Sequence, residues 1–171
     1  MSNDMYQFTV PLLRRGMSVL STYVELAREH AKARGIDEAE ILNARLAPDM
    51  FSFAGQIQRA SDKAKNGVSR LADTTAPAFA DNEATLDELD IRIEKTIAYL
   101  DSVRPDQFES ADTRDVELKF RSLSGVMSGH VYLTQVLLPD FYFHVATAHG
   151  ILRNLGLAVS KTHYIGKPDL R

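Results

Sequence analysis

The stretch LPDFYFHVATAHG, residues 138–150, lies in an apolar segment whose spacing predicts the last long helix, over about residues 129–154. Apolar side chains recur there every three or four residues, which is the period of one face of a helix. Pro139 lies inside the segment, so we expect a kink or a break at that point. The stripe consists of Leu133, Leu137, Phe141, His144, Ala148, Ile151 and Leu155.

The two histidines of this stretch cannot chelate one ion from an unbroken helix. Five residues turn a helix through about 500°, so His149 points roughly 140° away from His144. Ligand pairs on a helix are three or four residues apart, which makes Asp140 the chelating partner available to His144. The residues leave three roles open for His144: a hydrogen-bonded core histidine, a metal ligand or a general base. For His149 they favour a surface or interface position.

The rest of the chain shows three more long apolar stripes at helical spacing, over about residues 9–34, 50–72 and 85–103. A short helix is predicted near residues 37–46. Because Asp49 lies at the start of the second long helix, we expect it to cap that helix. Thr85 and Glu88 have the spacing of a capping box at the start of the third.

A small ribbon is predicted between the third and fourth long helices. Val116, Leu118 and Phe120 alternate with charged residues, which indicates a half-exposed strand, and residues 122–127 indicate a second strand. Four long amphipathic helices, a short extra helix and this ribbon predict an all-α four-helix bundle. The length of 171 residues fits one domain, which we place over residues 1–171.

Composition excludes several classes of function. The chain has no cysteine, so disulfides, thiolate nucleophiles and cysteine-ligated metals are ruled out. A net charge of -3 without a dense basic run argues against a nucleic-acid partner. The first residues lack the features of a signal peptide, and no run reaches the roughly 18 apolar residues of a membrane span. We therefore expect a soluble, cytoplasmic protein with no membrane partner.

Polar residues near the start of the second long helix supply further candidates for a site. Arg45 and Asp49 have the spacing to pair, and Gln56 flanks the apolar stripe, where it can face a cavity. Asp62 and Lys63 are expected to be solvated. The sequence lacks the motifs of serine hydrolases, zinc proteases, P-loop proteins and dinucleotide-binding proteins.

Three segments carry a family resemblance: residues 43–65 (NARLAPDMFSFAGQIQRASDKAK), 84–103 (ATLDELDIRIEKTIAYLDSV) and 138–156 (LPDFYFHVATAHGILRNLG). They resemble a bacterial domain-of-unknown-function family, DUF1993, of the DinB/YfiT-like superfamily. The resemblance implies a four-helix bundle, a homodimer, and zinc or nickel held by one histidine on the second helix and an H-x-x-x-H pair on the fourth.

The sequence departs from that metal pattern. His144 corresponds to the first histidine of the pair, but Ala148 stands four residues later, and Gln56 falls near the position on the second helix. The resemblance therefore implies either a degenerate pocket or a different site that uses oxygen ligands.

Two hypotheses follow. The one we favour is a non-catalytic bundle that binds an unidentified small molecule or forms a homodimer, with His144 and Gln56 hydrogen-bonded in a polar core patch and the metal site degenerate. Its pocket would comprise His144, Gln56, Arg45 and Asp49, and the apolar edge of the ribbon, which needs cover, also favours a homodimer. The alternative is a metal-dependent hydrolase or transferase in which zinc or nickel is anchored by His144, with an oxygen ligand from Asp140 or Asp49.

Overall fold

The computed structural model describes residues 2–119 and 124–168, and most of these residues are helical. A 3₁₀ turn, Pro105–Phe108, follows the fifth helix, and the strands β1 (Asp115–Lys119) and β2 (Ser124–Ser128) form one antiparallel ribbon. The helices are α1 (Ser2–Gln7), α2 (Val10–Arg34), α3 (Glu38–Asn43), α4 (Phe53–Ala72), α5 (Leu86–Ser102), α6 (Gly129–Tyr132), α7 (Leu138–Asn154) and α8 (Lys161–Ile165). The predicted helical architecture with a small ribbon is confirmed.

The long helices pack around one apolar core. Both α2 and α4 pack against α5 and against α7. The stripes predicted from the sequence face this core, and side chains such as Leu13, Ile57 and Phe141 are fully buried there. Burying a side chain of this size contributes roughly 1.5–3 kcal/mol, so the stripes are the main source of stability.

The start of α4 differs from the prediction. The helix begins at Phe53, and the N-cap is Ser52, whose hydroxyl accepts from the Gly55 N–H at 3.3 Å. The preceding chain turns between Ala47 and Met50, whose backbone hydrogen bond is 3.1 Å long. This turn occupies the residues around Asp49, so the prediction that Asp49 caps the helix is wrong. The capping box at the start of α5 is confirmed.

The ribbon places its apolar side chains against the helices. Val116 pairs with Met127 in the register of β1 and β2, and Val116 and Leu118 are buried. Both predicted strands are confirmed where the structure describes them. Phe120 and the first residues of the second predicted strand, residues 122–123, lie outside the described residues.

The last helical run passes from α6 through a π-helical turn, Leu133–Leu137, into α7. Leu138 donates its N–H to the Leu133 carbonyl five residues earlier, which is the π pattern. Pro139 has no N–H to donate, and its ring crowds the preceding turn, so the wider turn directly before it relieves both problems. The predicted disturbance thus takes the form of a π turn. None of the described helices has the length and apolar character needed to cross a membrane.

Candidate functional site

His144 lies in the core where α7 faces α4. It is 6% exposed, with Nδ1 2.8 Å from Gln56 Oε1 and Nε2 3.3 Å from Asp140 Oδ1. Both ring nitrogens therefore face side-chain oxygen atoms, one from α4 and one from α7 itself. The residue occupies the core position that the stripe predicted.

Gln56 belongs to the buried face of α4 and is 1% exposed. Its side-chain nitrogen donates to the Phe51 carbonyl at 3.0 Å, which leaves Oε1 directed at His144. The amide therefore ties the loop before α4 to α7. Because both its donor and its acceptor groups have partners, Gln56 meets the requirement for a buried polar group.

Asp140 continues the chain of polar contacts toward the surface. Its second oxygen, Oδ2, lies 2.7 Å from Lys63 Nζ on α4. Burial tends to raise the pKa of Asp140, but hydrogen bonds from His144 and Lys63 outweigh it, and the pKa lies below its ordinary value. The prediction that Lys63 is simply solvated is wrong, because it forms this ion pair. Gln56, His144, Asp140 and Lys63 thus make one polar chain, which we call the His144 chain.

The donor set of the His144 chain does not fit a divalent metal. Zinc takes three or four protein ligands. Across residues 2–119 and 124–168, no group of three or more histidines or carboxylates is arranged to hold an ion. Within the His144 chain, the Lys63 ammonium already pairs with Asp140, and Gln56 already forms a hydrogen bond with His144 Nδ1.

Arg45 and Asp49 lie exposed on the loop before α4. Arg45 donates to the Pro48 and Met50 carbonyls at 3.4 and 3.3 Å, and the described residues show no ion pair between Arg45 and Asp49. The predicted pairing of these two side chains is therefore wrong. The structure brings Gln56, His144 and Asp140 together and leaves Arg45 and Asp49 outside their hydrogen bonds.

The surroundings of the His144 chain are partly aromatic and partly charged. Phe51 and Phe143 are more than half exposed, and their ring centroids lie 6.4 and 5.4 Å from that of His144. A cavity of about 190 Å³ opens next to Asp140. It is lined by Arg59, Asp62, Lys63, Asn66, Arg70, Tyr132, Val136, Leu137 and Asp140.

Sequence reasoning missed a second polar centre, at Arg92 on α5. Arg92 is 2% exposed and reaches Asp62 and Glu83 at 2.9 Å and Asp81 at 3.0 Å. A signal was present, because Arg92 follows Leu89 by three residues on the buried face of α5. An arginine there needs carboxylates, and the loop before α5 supplies two. Asp62, predicted to be solvated, is instead one of its partners.

His149 points away from His144, as the helical geometry predicts. Its Nδ1 lies 2.7 Å from the Tyr23 hydroxyl of α2, and its ring is 6.2 Å from that of Tyr164. The side chain is half-buried rather than fully on the surface. Burial lowers the pKa of His149, and the nearby charges of Arg153 and His163 lower it further.

This shift predicts a pH dependence of stability. The unfolded chain, in which a histidine has a pKa of about 6.5, takes up a proton at His149 more readily than the folded protein. The contribution of neutral His149 to the free energy of unfolding is therefore fully present above about pH 6.5. It is lost as the pH falls through the lower pKa of the folded state. We expect His149→Gln to lose less stability than the wild type between pH 8 and pH 5 in urea unfolding. The exposed His130→Gln is the control, and an unchanged pH dependence in His149→Gln would contradict the assignment.

Comparison with known proteins identifies the family. The family model described as a domain of unknown function, DUF1993, matches residues 5–165. The crystal structure of a DinB family member protein from Shewanella denitrificans is similar, with a TM-score of 0.93 and 33% identity over 99% of this chain and 96% of that chain. A search of curated proteins finds no match. The chain belongs to the DUF1993 family and is a DinB-like protein.

Proposed function

We propose that this DUF1993 protein is a non-catalytic, small-ligand-binding homodimer in which the metal site of the DinB-like superfamily is degenerate. The observation that carries the proposal is that both ring nitrogens of buried His144 have partners, Gln56 and Asp140. A general base must reach the proton it removes, and a ligand must present a free nitrogen to the metal. His144 does neither in this arrangement, and it acts as a polar tie between α4 and α7.

We propose that the protein is a single four-helix bundle. Helices α2, α4, α5 and α7 share one cluster of buried apolar residues, which extends to Leu157 and Val159 after α7. The similarity to the Shewanella protein over 99% of this chain supports the same interpretation. We therefore propose one domain for the whole chain, and the cytoplasmic location stays a prediction.

The cavity beside Asp140 supports the binding of a small molecule. Its volume of about 190 Å³ is below the 300 Å³ or so at which sites for drug-sized ligands begin, so it suits a molecule of a few heavy atoms. Asp140 and Lys63 line it and also belong to the His144 chain. A ligand that contacts either charge would therefore be linked to the buried histidine.

An exposed apolar patch beside the His144 chain supports the homodimer. Phe51 and Phe143 are each 55% exposed. Leu46 lies over α7 at Gly150, where its Cδ1 is 3.3 Å from the position that a Cβ atom of residue 150 would take. Arg45 and Asp49 adjoin this patch on the loop before α4 and form no ion pair with each other in the described chain. In a twofold interface the same patch of each subunit meets its copy. Arg45 of each subunit can therefore pair with Asp49 of the other.

The double variant Phe51→Ser/Phe143→Ser tests this interface. We expect the wild type to sediment at twice the monomer mass and the double variant to sediment as a folded monomer, because the apolar patch is lost. Val126→Ser on β2 is the matched control, because it removes an exposed apolar side chain from the ribbon. Dissociation by Val126→Ser alone would move the interface to the ribbon edge. A monomeric wild type at micromolar concentration would end the dimer proposal.

The alternative function, a metal-dependent hydrolase or transferase, has one supporting observation. Asp140 and His144 are adjacent and of ligand type. A third protein ligand is absent from the described residues around them. We therefore keep this function as the outcome that would overturn our proposal.

Metal content after a single substitution separates the two functions. Gln56→His would place an imidazole next to His144 and Asp140, which completes a set of two histidines and one carboxylate of the kind zinc accepts. We expect wild-type protein purified without a histidine tag to contain no stoichiometric zinc or nickel, and Gln56→His to acquire zinc. Gln58→His, whose parent side chain contacts Glu83 instead, is the matched control on α4.

Two readouts decide this experiment. Elemental analysis gives the metal content, and thermal unfolding with added zinc reports binding to the folded state, because a ligand of the native state raises the melting temperature. Stoichiometric metal in the wild type that disappears in His144→Ala would overturn the non-catalytic proposal. Zinc uptake by Gln58→His equal to that by Gln56→His would show that the added imidazole binds without help from His144.

A further inference from the structure

A second concave surface lies between the first turns of α2 and the segment from α8 to Pro168. It encloses about 830 Å³, within the 300–1,000 Å³ typical of sites for small molecules. Pro11, Leu12 and Val19 line the α2 side, and Pro168 lines the opposite side. None of its lining residues belongs to the His144 chain, so it is a separate site, which we call the α2–α8 cleft.

The α2–α8 cleft contains cations that have no partner among residues 2–119 and 124–168, in a protein whose net charge is -3. Arg14 also lines it, but its guanidinium is bound to Asp101 at 2.7 Å. The side chains of Arg15 and Lys167 form no ion pair or hydrogen bond with any residue that the structure describes. Both side chains line the same cleft, and Gly166, which precedes Lys167, would place a Cβ atom 3.7 Å from Arg15 Cγ.

His163 adds an imidazole to the lining of the cleft. Its Nδ1 accepts the Ser160 N–H at 3.0 Å. Because this bond occupies Nδ1, Nε2 is the ring nitrogen that remains for a ligand. The hydroxyl groups of Ser18 and Thr162 on the same lining are already bonded, to the Arg14 carbonyl and to Ser160 Oγ. The lining of the cleft therefore combines positive charge with apolar side chains.

We propose that the α2–α8 cleft binds a small organic anion, whose carboxylate or phosphate group is held by Arg15 and Lys167 and whose apolar body packs on Leu12 and Val19. Arginine suits this role because its planar guanidinium donates two parallel hydrogen bonds to either kind of anion. The anion also balances the two positive charges of the lining. An apolar body is required because proline and aliphatic side chains form the rest of the lining.

The test is a titration of the ¹⁵N-labelled full chain, followed by amide NMR signals, with phenyl phosphate, benzoate, inorganic phosphate and phenol. We expect saturable shifts for phenyl phosphate or benzoate, confined to the first turns of α2 and to residues 160–168. The tighter of the two identifies the anionic group. Phenol lacks the charge and inorganic phosphate lacks the apolar body, so each should bind roughly tenfold more weakly, a difference of about 1.4 kcal/mol.

Charge-reversal variants assign the contact. Arg15→Glu and Lys167→Glu should each weaken binding of phenyl phosphate at least about tenfold at constant ionic strength. Lys161→Glu is the matched control, since Lys161 is an exposed lysine of α8 that does not line the cleft. The unchanged amide signals of the other helices report that each variant is folded.

Three results would overturn the proposal. The first is the absence of saturable shifts with both aromatic anions. The second is equal weakening by Lys161→Glu, which would mean unspecific attraction to a positive surface. The third is binding of phenol, or of inorganic phosphate, as tight as that of phenyl phosphate.

Discussion

Arg92→Ala is expected to lower the free energy of unfolding by about 3 kcal/mol, the lower end of the range for breaking a buried ion pair. The substitution removes the cation that Asp62, Asp81 and Glu83 share, although Arg59 still pairs with Asp62 and Asp81. It also removes the donors to Ser61 Oγ and to the Ala80 carbonyl. The lower end applies because the Asp81 side chain is 41% exposed and can recover some hydration.

Urea unfolding monitored by circular dichroism measures this effect. Lys95→Ala on the same helix is the matched control, because Lys95 is exposed, and it should change stability by no more than about 0.5 kcal/mol. Arg92→Lys keeps the charge but lacks the planar fork of donors, so we expect an intermediate loss. Amide exchange should also quicken in residues 80–84, which Arg92 ties to α4 and α5. A stability of Arg92→Ala equal to that of Lys95→Ala would refute the role of this network.

The second large effect is expected for Gly129→Ala in the last helical run, and the same substitution at Gly150 is expected to have the opposite effect. At Gly129, a Cβ atom would lie 1.8 Å from the Ala111 carbonyl oxygen, which is backbone and cannot rotate away. The strand end is also held there by hydrogen bonds from the Gly129 N–H to Arg114 and from the His130 N–H to Asp112. We therefore expect Gly129→Ala to destabilise the fold by about 3 kcal/mol, the upper part of the range for overpacking.

Gly150→Ala is expected to act in the opposite direction. The new Cβ would meet only Leu46 Cδ1, at 3.3 Å, and Leu46 is an exposed side chain that can move. Alanine in a helix interior is favoured over glycine by about 0.5–1 kcal/mol, because glycine loses more conformational freedom on folding. Thermal and urea unfolding of both variants check the contrast. A Gly129→Ala variant as stable as the wild type would contradict the first expectation, and a Gly150→Ala variant less stable than the wild type would contradict the second.

The sequence allowed the helices and their inward faces to be predicted because helical periodicity is a local property. The stripe through Phe141 and His144, and the divergence of His149 from His144, follow from 3.6 residues per turn. The capping box of Thr85 and Glu88 is local as well, because its groups are three residues apart. In contrast, the Asp49 cap was wrong because the turn between Ala47 and Met50 takes up that stretch.

The partners of the polar residues were decided only by the tertiary structure. His144 and Gln56 meet across 88 positions of sequence, and no local period relates two helices to each other. Arg92 binds carboxylates from α4 and from the loop before α5. Because no local pattern relates Asp62 to Arg92, the sequence predicted a solvated Asp62.

The sequence by itself determined where the long helices lie and which side of each is buried. Tertiary packing decided that Gln56 and Asp140 engage both nitrogens of His144, and that Arg15 and Lys167 line one cleft. The physical reason is that burial follows from the local period of apolar residues. The pairing of polar groups depends instead on how whole helices pack against one another. That packing is set by the apolar contacts of the entire core.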